Sequence, residues 1–438
     1  MDSFVIQGGH PLQGTIRVHG SKNASLPLLA AALLTDEPVT FRDVPDLADI
    51  QNMLRLLAEL GCERQEEPGP DGTIGNPVTL RSENETQSHA RYDIVRTMRA
   101  SICTLGPMLA RRGSARISMP GGCAIGDRPV DLHLRGLAAL GADISLEAGD
   151  IIAKTPPGGR LRGETIFLGG PFGSTVLGTA NVMSAATLAA GRTIIESAAC
   201  EPEIVDLAAL LTTMGAKITG AGSPRITIEG VESLGGADHA VIPDRIEAGT
   251  FMCAAAITGG AVTIENCPID TLLAAVDRLE HAGVHIETID ATDPLHATCR
   301  VRVDGALRPI EVTTQPHPGF PTDLQAQFMA LLALAEGNSV ITERIFTERF
   351  LHVAELGRMG AHLFRAGSTV VVSGVKCLTG APVMASDLRA SACLVLAGLA
   401  AEGTTTINRV YHLDRGYERL EERLRPLGAR IERVGESV

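Results

Sequence analysis

Cys123 lies in the stretch Met119-Pro120-Gly121-Gly122-Cys123-Ala124-Ile125-Gly126-Asp127-Arg128-Pro129-Val130-Asp131-Leu132-His133. Two glycines allow a sharp turn with the cysteine at its tip, and Arg128-Pro129 predicts a helix start, since proline suits the first helical position. A cation and a positive helix end both favour the thiolate. A thiol that ordinarily titrates at about 8.5 could then give or take a proton near neutrality, or act as a nucleophile. The plainer reading of any cysteine is a small buried hydrophobe; the glycines and Arg128 argue against it here.

A second set of chemical groups stands just ahead of Ala-rich apolar runs. It comprises Ser21-Lys22-Asn23, Thr97-Met98-Arg99, Asp244-Arg245-Ile246-Glu247, Pro321-Thr322-Asp323 and Ser386-Asp387-Leu388-Arg389. With Arg128, Arg349 and Arg415 these could surround a multiply anionic ligand, because helix N-termini themselves favour anions. Taken singly, each Arg or Asp reads more simply as a solvated charge or a cap; recurrence at equivalent positions is what favours the ligand reading. Asp323 is open between a capping carboxylate and a general base. Glu201, in Cys200-Glu201-Pro202-Glu203, reads as a helix-start acid, and His133 and His317 show no spacing that suggests a metal ligand.

The elements that must position these groups recur. A helical pattern closing on glycine appears at Leu60-Gly61, Leu140-Gly141, Met214-Gly215, Ala282-Gly283, Met359-Gly360 and Leu427-Gly428. Two short alternating segments follow most of these, as expected of a helix handing over to a hairpin. An echo at Leu12-Gln13-Gly14, Leu161-Arg162-Gly163, Leu234-Gly235-Gly236 and Leu378-Thr379-Gly380 leads into the apolar runs. Those runs, at 23–34, 100–110, 176–190, 248–257, 323–335 and 388–401, have almost no polar face, so each predicts a buried helix. Six α/β units result, in two similar domains: 22–241, and 1–21 plus 242–438 closed by the N-terminal strand. Two such domains joined by two chain crossings would surround a cleft.

Composition narrows the partners. The chain has 438 residues and a net charge of -13, from 38 Lys+Arg against 51 Asp+Glu, which repels nucleic acid and anionic membrane. Aromatic content of 3% with no Trp leaves little for stacking bases. Nine cysteines without a Cys-x-x-Cys pair argue against a disulfide framework or structural zinc and for the cytoplasm. The opening residues show no targeting signal, and the apolar runs are too short to span a bilayer. Neither a dinucleotide fingerprint nor metal-ligand spacing is present, so no cofactor is expected.

Over essentially its whole length the chain resembles the enolpyruvyl transferases. The resemblance is carried by Gly20-Ser21-Lys22-Asn23-Ala24, Arg96-Thr97-Met98-Arg99-Ala100-Ser101, the Cys123 loop through His133, Glu201-Pro202-Glu203-Ile204-Val205-Asp206, Pro243-Asp244-Arg245-Ile246-Glu247, Phe320-Pro321-Thr322-Asp323-Leu324-Gln325-Ala326-Gln327-Phe328, Asp387-Leu388-Arg389-Ala390-Ser391 and Asp414-Arg415-Gly416-Tyr417-Glu418-Arg419. It implies an inside-out α/β barrel fold of two pseudo-threefold domains. It also implies transfer of the enolpyruvyl group of phosphoenolpyruvate to the 3′-hydroxyl of UDP-N-acetylglucosamine, through a tetrahedral intermediate, in peptidoglycan precursor synthesis.

By the same resemblance Cys123 is the proton donor and the target of fosfomycin, and Asp323 is the base, with Lys22 and Arg415 also catalytic. Lys22, Arg128 and Arg415 would hold the phosphate, with Asn23 beside them, and Arg349 and Arg389 the carboxylate. Asn23, Arg99, Arg128, Pro129, Val130, Asp131, Leu132, Thr175, Val176, Asp323 and Ile345 would line the nucleotide-sugar site. One departure stands near the diphosphate: in Phe172-Gly173-Ser174-Thr175-Val176-Leu177-Gly178, Leu177 occupies a place where the family often has glycine. Another acceptor, such as a nucleotide or shikimate 3-phosphate, and an inactive nucleotide-sugar sensor are the alternative readings. Neither an obligate protein partner nor nucleic acid or membrane binding is expected.

Overall fold

The protein is described from a computed structural model, which covers residues 2–65, 76–120 and 130–435. Contacts divide the described chain into two compact units. One takes residues up to His19 and from Pro243 onward; the other runs from Gly20 to Ile242. Each unit holds three sheets of four strands among the described residues.

Every sheet is built alike. In one of them Thr165–Phe167 runs parallel to Arg192–Glu196, which pairs antiparallel with Arg225–Glu229, itself the partner of Lys217–Thr219. The parallel pair needs a crossover, and the helix Val176–Ala186 supplies it. The antiparallel pair needs only a hairpin, reached through a second helix, Pro202–Thr213.

The crossover helices are buried nearly all round. All thirteen residues of Arg245–Ile257 are buried, which only a helix at the centre of its unit permits. In the unit that contains it, this helix packs with Gln325–Leu332 and Leu388–Ala400. In the other unit Lys22–Ala31, Leu105–Arg112 and Val176–Ala186 form the corresponding trio. Sheets and amphipathic helices surround each trio; Ala48–Glu59, for example, buries Asp49, Ile50, Met53, Leu56 and Leu57 on one face. Each unit is an inside-out α/β barrel, helices within and strands without. All six outer helical segments give way to a glycine with φ between +74° and +107°, the left-handed residue that frees the chain to turn into a strand.

Some expectations need correction. The strand Gln13–Arg17 does not serve the apolar run that follows it; it pairs in parallel with Ala261–Cys267, as Ala237–Ala240 does with Val39–Arg42. The chain crosses between units at residues 19–20 and 242–243, each time between a strand and the helix after it. The helix Lys22–Ala31 therefore takes its leading strand from residues 237–240, and Arg245–Ile257 takes its own from 13–17. Ser3–Gln7 lies between Thr404–Asn408 and Arg430–Val434, antiparallel to both.

The runs at 100–110 and 323–335 are not single α-helices. Each opens in a tighter 3-10 turn, Arg99–Thr104 and Thr322–Leu324. Gly249 permits the second, since a Cβ there would sit 2.6 Å from Leu324 Cδ1. The run at 176–190 ends its helix at Ala186, where the Thr187 hydroxyl donates to the Ser184 carbonyl at 2.7 Å. No helix among the described residues is long and apolar enough to cross a membrane.

Candidate active site

Cations crowd the first turns of the inner helices. Lys22 opens Lys22–Ala31, Arg99 opens its 3-10 turn, Arg245 opens Arg245–Ile257, and Arg389 is the second residue of Leu388–Ala400. Local electrostatics disfavours this, because a helix N-terminus already carries a partial positive charge. Within each unit, such placement makes sense where an anion meets the helix starts. The free N–H groups are met by side chains: Asp244 accepts from the N–H of Ile246 and Glu247, Asp387 from those of Arg389 and Ala390, Ser21 from Ala24 and Thr175 from Gly178.

In the unit that holds the chain termini, Asp323 is the centre of the arrangement. Its Oδ1 accepts from Arg349 Nη1 at 2.8 Å and its Oδ2 from Arg389 Nη2 at 3.0 Å. The capping residues of its 3-10 turn and of the helix that follows make no side-chain capping bond, and the carboxylate faces guanidiniums instead. Arg389 is 2 % exposed and lies over the Tyr417 ring, with no partner for Nε or Nη1 among the described residues. Burial works against its charge, but Tyr417, Asp323 and Asp244 outweigh it and hold the guanidinium pKa above its ordinary value. A buried guanidinium that keeps undirected donors beside its bond to Asp323 is suited to an anion.

Behind Asp323 lies a polar hub that sequence reasoning missed. The Tyr417 hydroxyl is 2.8 Å from Thr250 Oγ1, and Gln327 Nε2 reaches Thr250 at 3.1 Å and the Asp323 carbonyl at 3.0 Å. Arg245–Ile257 and Gln325–Leu332 are thereby tied to each other and to Tyr417, whose ring lies under Arg389 of Leu388–Ala400. Arg415 ends the 3-10 turn Val410–Arg415 and, after burial, is the next cause of the lowered pKa of His412. Ile345 is half-buried, its N–H donating to Glu343 Oε1 at 2.7 Å.

His352 sits close behind Arg349 and is 1 % exposed. Burial pushes its pKa down to about 4 from an ordinary 6.5, with Asp387 pulling it back and Arg349 adding to the depression. The unfolded chain therefore binds this proton more readily than the folded one. Stability on this account is fully present above pH 6.5 and falls as pH drops toward 4, by about 2 kcal/mol at pH 5. Urea unfolding at pH 7 and pH 5 is expected to show that loss in the wild type and a smaller one in His352→Leu. An equal loss in both would assign the acid sensitivity to other groups.

In the unit of residues 20–242, Lys22 Nζ lies 2.8 Å from Asp49 Oδ2, both largely buried. Ser21 N–H donates to the Ile242 carbonyl at 2.7 Å, and Ile242 N–H to Asp206 Oδ2 at 3.3 Å, so the Lys22-Asn23 turn is anchored to the Pro202–Thr213 helix. Asn23 and Arg99 are half-buried at neighbouring inner-helix starts. Val130 precedes the helix Asp131–Ala139, where Asp131 is exposed and Leu132 lies against Gly170. Thr175 and Val176 begin their helix as expected, with Leu177 half-buried beside them.

Cys123, Arg128 and Pro129, with the predicted helix start at Arg128-Pro129, lie outside the described residues. Glu201 stands at the N-cap of Pro202–Thr213, yet its side chain makes no capping bond. His133 bonds through Nδ1 to Asn181 at 3.1 Å. Among the described residues no group of three or more His, Cys, Asp or Glu is placed to hold a metal ion.

The family described as EPSP synthase (3-phosphoshikimate 1-carboxyvinyltransferase) matches residues 6–424. A protein of Anaeromyxobacter sp. (strain Fw109-5) named UDP-N-acetylglucosamine 1-carboxyvinyltransferase is 55% identical over 433 residues, 99% of each chain. A protein of the same name from Gluconacetobacter diazotrophicus is 55% identical over 436 residues, covering 100% of both chains. Among solved structures, the enolpyruvyl transferase NikO from Streptomyces tendae superposes with a TM-score of 0.85 at 26% identity, over 99% of each chain. EPSP synthase from Acinetobacter baumannii shares the fold, with a TM-score of 0.75 at 19% identity over 99% of this chain and 100% of that one.

Proposed function

The chain belongs to the EPSP synthase family of enolpyruvyl transferases, and from that premise we propose that it transfers the enolpyruvyl group of phosphoenolpyruvate to the 3′-hydroxyl of UDP-N-acetylglucosamine, releasing phosphate. The acceptor rests on relatives of that name at 55% identity across the full chain; shikimate 3-phosphate is supported only by more distant likeness. The observation that carries the chemistry is Asp323 held between Arg349 and Arg389 at inner-helix starts crowded with cations.

Addition begins with a proton delivered by Cys123 to the methylene carbon of phosphoenolpyruvate, which leaves positive charge at C2. Asp323 takes the proton of the 3′-hydroxyl as that oxygen bonds to C2. The Cys123 thiolate then takes back a methyl proton as the C2–O bond to phosphate breaks, and the departing phosphate takes the proton held by Asp323, giving the enolpyruvyl ether. Lys22, Arg128 and Arg415 bind the phosphate, and Arg349 and Arg389 the carboxylate, with guanidinium forks matched to planar anions. Asn23, Arg99, Arg128 to Leu132, Thr175, Val176 and Ile345 line the nucleotide sugar. The reading makes the protein a cytoplasmic enzyme of cell-wall precursor synthesis, in keeping with the eight free cysteines among the described residues.

Phosphate release from phosphoenolpyruvate, measured with UDP-N-acetylglucosamine, UMP, shikimate 3-phosphate or no acceptor, tests the reading. Release is expected only with the nucleotide sugar, and release with another acceptor would overturn the substrate. Fosfomycin is expected to label the wild type and block release, while Cys123→Ser is expected to escape labelling and lose roughly a hundredfold or more in turnover. Full activity in that variant would remove the thiol from the reaction.

A further inference from the structure

Glu343 is fully buried, 0% exposed, and leaves the strand Asn338–Thr342 at the point where the chain turns toward Ile345 and Arg349. At the same place in other sheets Asp43, Ser197 and Arg409 adopt left-handed φ of 59°, 57° and 62°; Glu343 does not. Four donors converge on it instead. Oε1 accepts from the Thr314 hydroxyl at 2.6 Å and from the N–H groups of Ile345 at 2.7 Å and Phe346 at 3.0 Å, and Oε2 accepts from the Thr322 hydroxyl at 2.8 Å. An ionised carboxyl can accept all four.

The directions of these bonds are fixed. Thr314 Oγ1 already accepts from Arg344 N–H at 2.8 Å, so its proton goes to Glu343. Thr322, having given its proton to Glu343, presents a lone pair to Arg349 Nη1 at 3.0 Å, the same nitrogen that bonds Asp323 Oδ1 at 2.8 Å. We infer that Glu343 is a positioning residue: through the Thr322 hydroxyl it sets where Arg349 and Asp323 stand relative to each other, and through two N–H groups it fixes the turn at Ile345. This rests on the reading of Asp323 and Arg349 as reacting and binding groups. It adds a component that touches no substrate.

A glutamine at 343 has one acceptor oxygen where three donors meet, two of them backbone N–H groups that cannot reverse. Its amide nitrogen must then face Thr322, which accepts from it and turns its own proton away, toward the Arg349–Asp323 pair. Glu343→Gln is therefore expected to lower kcat about 30-fold, the cost of misdirecting one charge-assisted bond, with UDP-N-acetylglucosamine binding changed less than about threefold. Thr322→Val is expected to show a comparable loss, and Thr322→Ser, which restores the hydroxyl, to recover most of it.

The assay is phosphate release, with nucleotide-sugar binding measured separately. Wild-type kcat in folded Glu343→Gln, or Thr322→Ser as slow as Thr322→Val, would overturn the inference. Should the glutamine variant not fold, the Thr322 pair decides it. Absence of acceptor-dependent release in the wild type would instead sink the reading on which the inference stands, so the two failures are told apart.

Discussion

Asp323→Asn is expected to lower the rate of enolpyruvyl transfer by about a thousandfold while UDP-N-acetylglucosamine still binds within about tenfold of the wild type. A positioned base contributes roughly a hundredfold to ten-thousandfold, and an amide cannot take the proton of the attacking hydroxyl. The geometry adds a second cost. Each carboxylate oxygen of Asp323 accepts from a different guanidinium, Arg349 on one side and Arg389 on the other. An asparagine satisfies one and turns an N–H₂ group toward the other, setting donor against donor.

Single-turnover rates compared with equilibrium binding separate the two effects. Loss confined to the rate assigns Asp323 to proton removal, whereas wild-type rates would reduce it to a counter-ion for its two arginines. Because Gln327 bonds the Asp323 carbonyl rather than its carboxylate, the backbone position should survive the change. The expected loss therefore lies in the side chain's chemistry and its arginine contacts and not in the backbone.

The parts of this site that are legible in the sequence are those whose signal is local. A helix that stops at glycine carries its cause in a few residues, and Gly61, Gly141, Gly215, Gly283, Gly360 and Gly428 all take the left-handed φ that cause requires. A cation ahead of an apolar run is also local, which is why Lys22, Arg99, Arg245 and Arg389 stand out before any contact is known. The pairing of Gln13–Arg17 with Ala261–Cys267 is not local: a strand's partner is set by hydrogen bonds across some 250 residues, and nothing in the five residues names it.

The roles of Glu343, Tyr417, Thr250 and Gln327 escape sequence reading for a related reason, although Tyr417 and Gln327 lie inside motifs that carry the resemblance. A buried polar side chain is tolerable only when donors and acceptors from distant elements meet it, so its role exists only in the folded arrangement. The one sequence signal for Glu343 is a carboxylate directly after the β-branched run Val340-Ile341-Thr342, and that pattern also describes an ordinary surface turn. The 3-10 openings at Arg99 and Thr322 were missed because composition does not distinguish a tighter turn from the first turn of an α-helix.

Arg389→Met is expected to lower kcat/KM for phosphoenolpyruvate by about a hundredfold to a thousandfold, with KM rising and nucleotide-sugar binding far less affected. Removing one member of a buried charge pair costs about 3–5 kcal/mol, because the remaining charge keeps its desolvation penalty without its partner. Here that charge is Asp323, which would lose the Arg389 bond to Oδ2 while keeping that of Arg349 to Oδ1. On the proposed reading of Arg389 as a ligand of the substrate carboxylate, that anion would also lose a guanidinium whose Nε and Nη1 have no protein partner among the described residues.

Arg389→Lys discriminates between charge and shape. An ammonium keeps the charge but is a single point; it cannot lie flat over Tyr417, bond Asp323 and still offer a fork to a planar anion. The lysine variant is therefore expected to recover less than about a tenth of the lost efficiency. Full recovery by lysine would mean that positive charge alone suffices at this helix start, and the buried geometry of the guanidinium would then need another explanation than substrate recognition.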